Sequence, residues 1–240
     1  MTLDGQHVVV VGGSSGIGLG TAHAVLAAGA RVTIVGRSPE RLARAQRELG
    51  DETPVRAIAA DIGREVDVVH LFEAAGDLDH LVTTAVDASY QPVAELEPAA
   101  AQRVIDSKLI GPLLLAKHGA PRIRTGGSII FTSGIAAYRP SRGGAVVAAV
   151  NGALAALGRA LALELAPIRV NVVSPGWVDT PVWDVVAGDR KGAVLSGMAE
   201  RLPVQRVGTP ADVARAFLFL MQSEYSTGTV LHIDGGQRLV

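Results

Sequence analysis

The sequence predicts an α/β protein: one doubly wound domain on a seven-stranded parallel sheet. Three observations carry this expectation. Short apolar runs alternate with helical stretches from end to end. Most of these runs are continuously apolar, as in strands covered on both faces. A glycine-rich turn, VVVVGGSSGIGLG over residues 8–20, leads from the first run straight into a helix. No linker, repeat or low-complexity tract breaks the rhythm, so residues 1–240 read as a single domain.

Strands are expected near His7–Val11, Arg31–Val35, Val55–Ala59, His80–Thr83, Ser128–Thr132, Ile168–Val173 and Thr229–Ile233. Helices fall between them, and two have marked starts. Ser38-Pro39 and Thr209-Pro210 each set a hydroxyl N-cap before a proline at the first helical position, and Asp212 adds a capping-box acid. Two long helices are expected over 99–124 and 143–166. The second is uncharged for 16 residues, from Gly143 to Gly158, and shows no clean polar face. Such a run, interrupted by Asn151, is short of the roughly 18–20 apolar residues that span a bilayer.

Composition narrows the function. Apolar residues make up 48% of the chain, enough for a continuous core, and the formal charge of −1 offers no general field for nucleic acid or an anionic membrane. There is no cysteine, which excludes disulfides, thiolate metal sites and a thiolate nucleophile. The six histidines show no metal-site spacing and read as surface or capping residues, so no metal is expected. The N-terminus lacks a basic n-region, and the apolar run after it is too short for a signal peptide. The expectation is a soluble, cytoplasmic protein with a small-molecule substrate and neither a nucleic-acid nor a membrane partner.

In the glycine-rich turn, Gly12 permits the tight bend, while Gly16 and Gly18 let backbone and helix approach a pyrophosphate at the helix N-terminus. The spacing is Gly-x-x-x-Gly-x-Gly, which resembles the classical short-chain dehydrogenase/reductase family. The likeness runs along the whole chain: Asp61-Ile62 after the third strand, SerProGlyTrpValAspThrPro at 174–181, and IleAspGlyGly at 233–236. The resemblance implies a Rossmann-like fold and a nicotinamide cofactor. It places Gly12, Ser14, Ser15, Gly16, Ile17 and Gly18 at the pyrophosphate and Asp61 and Ile62 at the adenine, with Ala85 also at the cofactor. Pro175, Gly176, Val178 and Thr180 are placed over the nicotinamide.

The end of the second strand chooses between cofactors. An NAD enzyme usually places an acid there for the ribose 2′-hydroxyl. This chain has Gly36-Arg37-Ser38. A guanidinium and a hydroxyl suit a 2′-phosphate, with no carboxylate at that point to repel it, so NADP(H) is expected.

In the family, a tyrosine acid, a lysine four residues later, a serine and an asparagine complete the chemistry. By resemblance, the segment 151–167, starting at Asn151, matches the one that normally begins with the lysine. Asn151 then takes the lysine position and Val147 the tyrosine position, and Gly134 stands where the serine belongs. Lys108, in IleAspSerLysLeuIleGlyPro, takes the asparagine position. No register slip restores the acid, because no tyrosine lies between Tyr138 and Tyr225. Lys108 and Ser133 remain as candidate catalytic groups, and Lys108 and Asn151 look like a reciprocal exchange. Tyr138 reads as a substrate-side or packing residue.

Three readings stay open on sequence. One is an NADP(H)-dependent oxidoreductase with an altered proton route, poor on simple ketones. Another is a catalytically silent NADP(H)-binding scaffold or sensor. The third is a non-redox enzyme reusing the pocket. The apolar surface of the two long helices exceeds what one sheet face covers, and the resemblance places a subunit interface there, so a homotetramer or homodimer is expected.

Overall fold

The computed structural model describes residues 2–50, 53–87 and 89–240. Seven strands form one parallel sheet: β1 (His7–Val11), β2 (Arg31–Gly36), β3 (Val55–Ala59), β4 (Leu78–Thr83), β5 (Ile123–Thr132), β6 (Arg169–Pro175) and β7 (Val230–Ile233). Their order is β3-β2-β1-β4-β5-β6-β7. The chain winds outward from β1 in one direction and then, after β3, crosses to β4 and winds the other way. The carboxyl ends of β1 and β4 therefore flank a crevice where ligands of such sheets bind.

Helices α1 (Gly16–Ala27), α2 (Pro39–Leu49) and α3 (Glu65–Ala75) connect the first strands. Then come α4 (Pro98–Ile105), α5 (Gly111–Gly119) and α6 (Ala145–Glu164), followed by α7 (Val182–Ala187), α8 (Lys191–Arg201) and α9 (Pro210–Gln222). The sheet separates two cores. Val8, Val10, Val32 and Ile34 pack with α1, α2 and α9, while Val9, Val11, Ile129 and Phe131 pack with α3, α5 and α6. The continuous apolar run of β1 and the whole of β6 are buried, whereas β3, at the sheet edge, is mostly half-exposed. Both marked helix starts are present: Ser38 caps α2, and Thr209 with Asp212 forms the capping box of α9.

Two expectations need correction. The helix read over 99–124 is α4 and α5 joined through a π-helical turn at Asp106–Ile110, and β5 already begins at Ile123. Pro112 explains the wide turn, because it has no N–H for the carbonyl of Lys108 four residues earlier. His7 and His80 are not surface or capping residues. Both are buried at the amino end of the sheet, where His7 bonds Thr33 Oγ1 and the Asp77 carbonyl, and His80 bonds Ser128 Oγ and Gln6 Oε1. Burial lowers the pKa of His80 to about 4 and also depresses that of His7.

Helix α6 is long and apolar enough to cross a membrane by length and composition, and it packs one stripe into the protein. Val147, Val150, Asn151, Leu154, Gly158 and Leu161 form its buried stripe. A side chain at Gly158 would meet Val172 Cγ2 at 2.7 Å, so the glycine lets α6 close on β6. The opposite stripe, Ala145, Ala149, Gly152, Ala156 and Leu163, is exposed.

Candidate active site

A cleft of about 370 Å³ opens at the carboxyl ends of β1, β2 and β4. Its floor is the turn after β1. Gly12 has φ +83°, and a Cβ there would stand 2.7 Å from Ala85 N. Gly16 has φ +53° and faces Thr180. These two positions require glycine. Gly18 also lines the cleft, and a Cβ there would lie 2.2 Å from the Gly12 carbonyl oxygen, so this glycine lets α1 pack on the turn as well. Ser15 is the N-cap of α1 in extended conformation and makes no side-chain cap bond, and no acid occupies the first turn. The helix end therefore offers N–H groups and positive potential to the cleft. This cradle, which any added Cβ would fill, fits a dinucleotide pyrophosphate.

Ser14, Ser15, Ile17, Arg37, Ser38, Asp61, Ile62, Ala85 and Thr180 also line the cleft. Pro175 ends β6, Gly176 sits tightly against Asp234 and Gln237, and Val178 is buried in the core beside α9.

At the far rim the structure adds groups that the linear reading lacked. Arg41, in the first turn of α2, lines the cleft and donates to Ser15 Oγ at 3.0 Å. Arg37 donates to Asp87 Oδ2 at 3.0 Å, and Ser38 Oγ donates to Glu40 Oε2 at 2.7 Å. Two carboxylates thus reach a rim where none was expected. An arginine one helical turn past the strand end was the sequence signal for Arg41; Asp87 gave none, being brought in only by strand order.

At the other end, Lys108 projects from the π-helical turn and is buried, not solvent-facing. Its Nζ donates to the Thr132 carbonyl at 2.7 Å and the Ser133 carbonyl at 3.3 Å. Among the described residues no carboxylate pairs with it, and burial lowers its pKa to about 8. Ser133 Oγ donates to the Asn151 main-chain carbonyl at 2.8 Å, so its proton is directed into α6 and not toward the cleft. Asn151 is buried, with Oδ1 lacking a partner among the described residues, and its Nδ2 lies 3.1 Å from where a Gly134 Cβ would be. Lys108 and Asn151 thus converge on the same segment, 132–134. Val147 is buried against Val104 and Val150, with Ala136 packed alongside.

Tyr138 stacks edge-on against His232, ring centroids 4.7 Å apart. Tyr90, which the sequence reading passed over, lies by the start of α6, with Cε1 3.6 Å from the place of a Gly144 Cβ. The main-chain bond from Gln91 N–H to the Gly143 carbonyl fixes that loop there.

Known proteins resemble the chain over its whole length. A family profile described as Enoyl-(Acyl carrier protein) reductase matches residues 11–238. The short-chain dehydrogenase/reductase ucsE of Acremonium sp. is 36% identical, with 98% of this chain and 96% of the relative covered. The MalC reductase/Diels-Alderase from Malbranchea aurantiaca superposes with a TM-score of 0.94 at 32% identity, over 99% of this chain and 98% of that one. An NADPH-bound short chain oxidoreductase from Pseudomonas aeruginosa PAO1, described as containing an atypical catalytic center, gives a TM-score of 0.90 at 28% identity, with 97% of each chain covered.

Proposed function

The chain belongs to the short-chain dehydrogenase/reductase family of oxidoreductases, and on that premise we propose that it is an NADP(H)-dependent oxidoreductase with an altered proton route. The observation that carries the reading is the pairing of a buried Val147 with a buried, acid-free Lys108. NADPH would supply the hydride. Gly12, Gly16 and the N-terminus of α1 would hold its pyrophosphate, and Arg37 and Arg41 its 2′-phosphate. The NADPH-bound Pseudomonas aeruginosa relative supports that cofactor, and its atypical catalytic center supports a departure from the usual tetrad.

Valine carries no proton, Gly134 has no side-chain donor, and the Ser133 proton is already committed to Asn151. Among the described residues, Lys108 is the buried cation at this end. Its ammonium polarises the 132–133 carbonyls, and with a pKa of about 8 it is a competent acid near neutrality. Activated dicarbonyls and quinones, whose reduced form is a stabilised anion, and iminium ions, whose hydride adduct is a neutral amine, need the least acid help and are favoured over simple ketones. A second reading, a cyclisation reusing the pocket, draws on one resemblance: MalC is described as both reductase and Diels-Alderase. We also propose a homodimer or homotetramer joined through the exposed small-residue stripe of α6.

The test is fluorescence titration with NADPH and NADH, followed by a screen for oxidation of the bound NADPH. Tight NADPH binding with turnover of activated carbonyls supports the proposal. Binding without any turnover favours a silent scaffold, and no binding refutes both.

A further inference from the structure

We propose that Asp87 is a specificity-determining residue of the cleft: it holds Arg37 when the cleft is empty and competes with a 2′-phosphate for that guanidinium. The inference rests on the NADP(H) reading. Strand order is its geometric basis. Arg37 directly follows β2 and Asp87 lies four residues beyond β4, with β1 between those two strands. The 3.0 Å bridge between them therefore passes over the end of β1, where the glycine turn forms the cleft floor. Gly36 and Arg37 line one side of the cleft, and Thr84, Ala85 and Val86 line the other.

Each end of the bridge is anchored differently. The Asp87 main-chain N–H donates to Ser107 Oγ at 3.1 Å, which fixes it beside the wall that Val86 and Ser107 line. Arg37 reaches across on a long side chain that is 60% exposed. Arg41 provides the contrast, since its guanidinium bonds a neutral hydroxyl, Ser15 Oγ, and meets no carboxylate in that bond. A phosphate can join Arg41 without displacing an anion. To gain Arg37 it must replace a carboxylate, and that carboxylate then faces it as a like charge. Exposed ion pairs are weak, so the exchange is readily made, and it lowers affinity without abolishing it. A ligand without the 2′-phosphate gains nothing from a freed Arg37. Asp87 therefore acts on one class of ligand: nucleotides phosphorylated at the adenosine 2′ position.

The experiment is titration of the full chain with NADPH, NADH, 2′,5′-ADP and 5′-AMP, for the unmodified protein, Asp87→Asn and Glu40→Gln. Glu40 controls for loss of any negative charge at this rim, because it is bonded to Ser38 and to neither arginine. The Asp87 amide keeps the main-chain bond to Ser107, and far-UV circular dichroism reports the fold of each variant. Asp87→Asn is expected to tighten NADPH and 2′,5′-ADP by about 3- to 10-fold at low salt, with NADH and 5′-AMP within about twofold, and the gain should shrink in high salt. An equal gain for all four ligands, an equal gain from Glu40→Gln, or no gain at all would overturn the proposal. Indifference of the unmodified protein to the 2′-phosphate would instead strike the cofactor reading, and the 2′,5′-ADP to 5′-AMP ratio reads that separately.

Discussion

Ser133 gives its hydroxyl proton to the main-chain carbonyl of Asn151, 2.8 Å away on α6. The bond ties the end of β5 to the long helix, and Lys108 secures the same segment from the π-helical turn through the carbonyls of Thr132 and Ser133. The Ser133 hydroxyl and the Lys108 ammonium are thus turned onto the backbone. Under the proposed route the proton supplied here is the one on Lys108, whose neutral form keeps two N–H groups for those two carbonyls.

Cofactor preference follows from the two guanidiniums at the rim. NADPH is expected to bind at least about tenfold tighter than NADH, since a charge-assisted hydrogen bond contributes about 1.5–3 kcal/mol and about 1.4 kcal/mol is tenfold. Arg37→Asp should reverse the order, and Arg41→Ala should lower only NADPH affinity. Equal affinity of the unmodified protein for both cofactors contradicts the assignment.

Lys108 makes stability depend on pH with a definite sign. Its folded pKa, about 8, lies below the ordinary lysine value of 10.5, so between these values the unfolded chain binds more protons. Stability from this group is complete above 10.5 and is lost as pH falls through about 8. The difference is on the order of 3 kcal/mol. Denaturant titrations should therefore show the native protein gaining stability relative to Lys108→Met between pH 8 and 10.5. Parallel curves for the two proteins would contradict the burial of this ammonium.

Rebuilding the family's chemistry requires more than one change. Val147→Tyr alone inserts an aromatic ring among Val104, Val150 and Ala136 and should cost about 1–3 kcal/mol. Asn151→Lys alone sets a second ammonium against the segment that Lys108 already holds. The triple variant Val147→Tyr, Asn151→Lys, Lys108→Asn reverses the exchange and supplies the acid. It is expected to gain reduction of simple ketones over either single variant, measured as NADPH oxidation. Adding Gly134→Ser should help only if Asn151 is also replaced, because the new Cβ lies 3.1 Å from its Nδ2.

Much of the fold was legible because its signals are local. Continuous valine runs, the Ser38-Pro39 and Thr209-Pro210 caps and the glycine turn each depend on a few adjacent residues. The misplaced features depend on distant ones. His7 and His80 are buried because Thr33, Asp77, Ser128 and Gln6 meet their ring nitrogens across strands. Nothing within the 99–124 stretch except Pro112 announces the π-helical turn. At the site, Lys108, Asn151 and Val147 were found by position, but the direction of the Ser133 hydroxyl and the Arg37–Asp87 bridge arise from strand order and packing. Pro175, Gly176 and Val178 were placed by resemblance, and the structure sets Gly176 against Asp234 and Gln237 and Val178 in the core beside α9.

Assembly can be tested at the exposed stripe of α6. Alanines and a glycine at 145, 149, 152 and 156 permit close approach of a second helix, and Leu163 is 84% exposed beside them. Sedimentation at micromolar concentration is expected to give a dimer or tetramer, and Ala149→Glu should shift it toward monomer. A monomer in the unmodified protein contradicts the interface.

The most direct test of the altered proton route compares two substrates in one assay, with NADPH oxidation by the unmodified protein measured at pH 7 on an activated dicarbonyl and on an unactivated ketone. A ketone accepting hydride needs a proton and local positive charge, and positioned acids typically contribute roughly 10²–10⁴-fold. The dicarbonyl is predicted to have a kcat/KM at least about 100-fold higher, with a rate that declines as pH rises through about 8 and is abolished in Lys108→Ala. Comparable, brisk turnover of the unactivated ketone, undiminished in Lys108→Ala, would contradict the account and show that another acid serves the site.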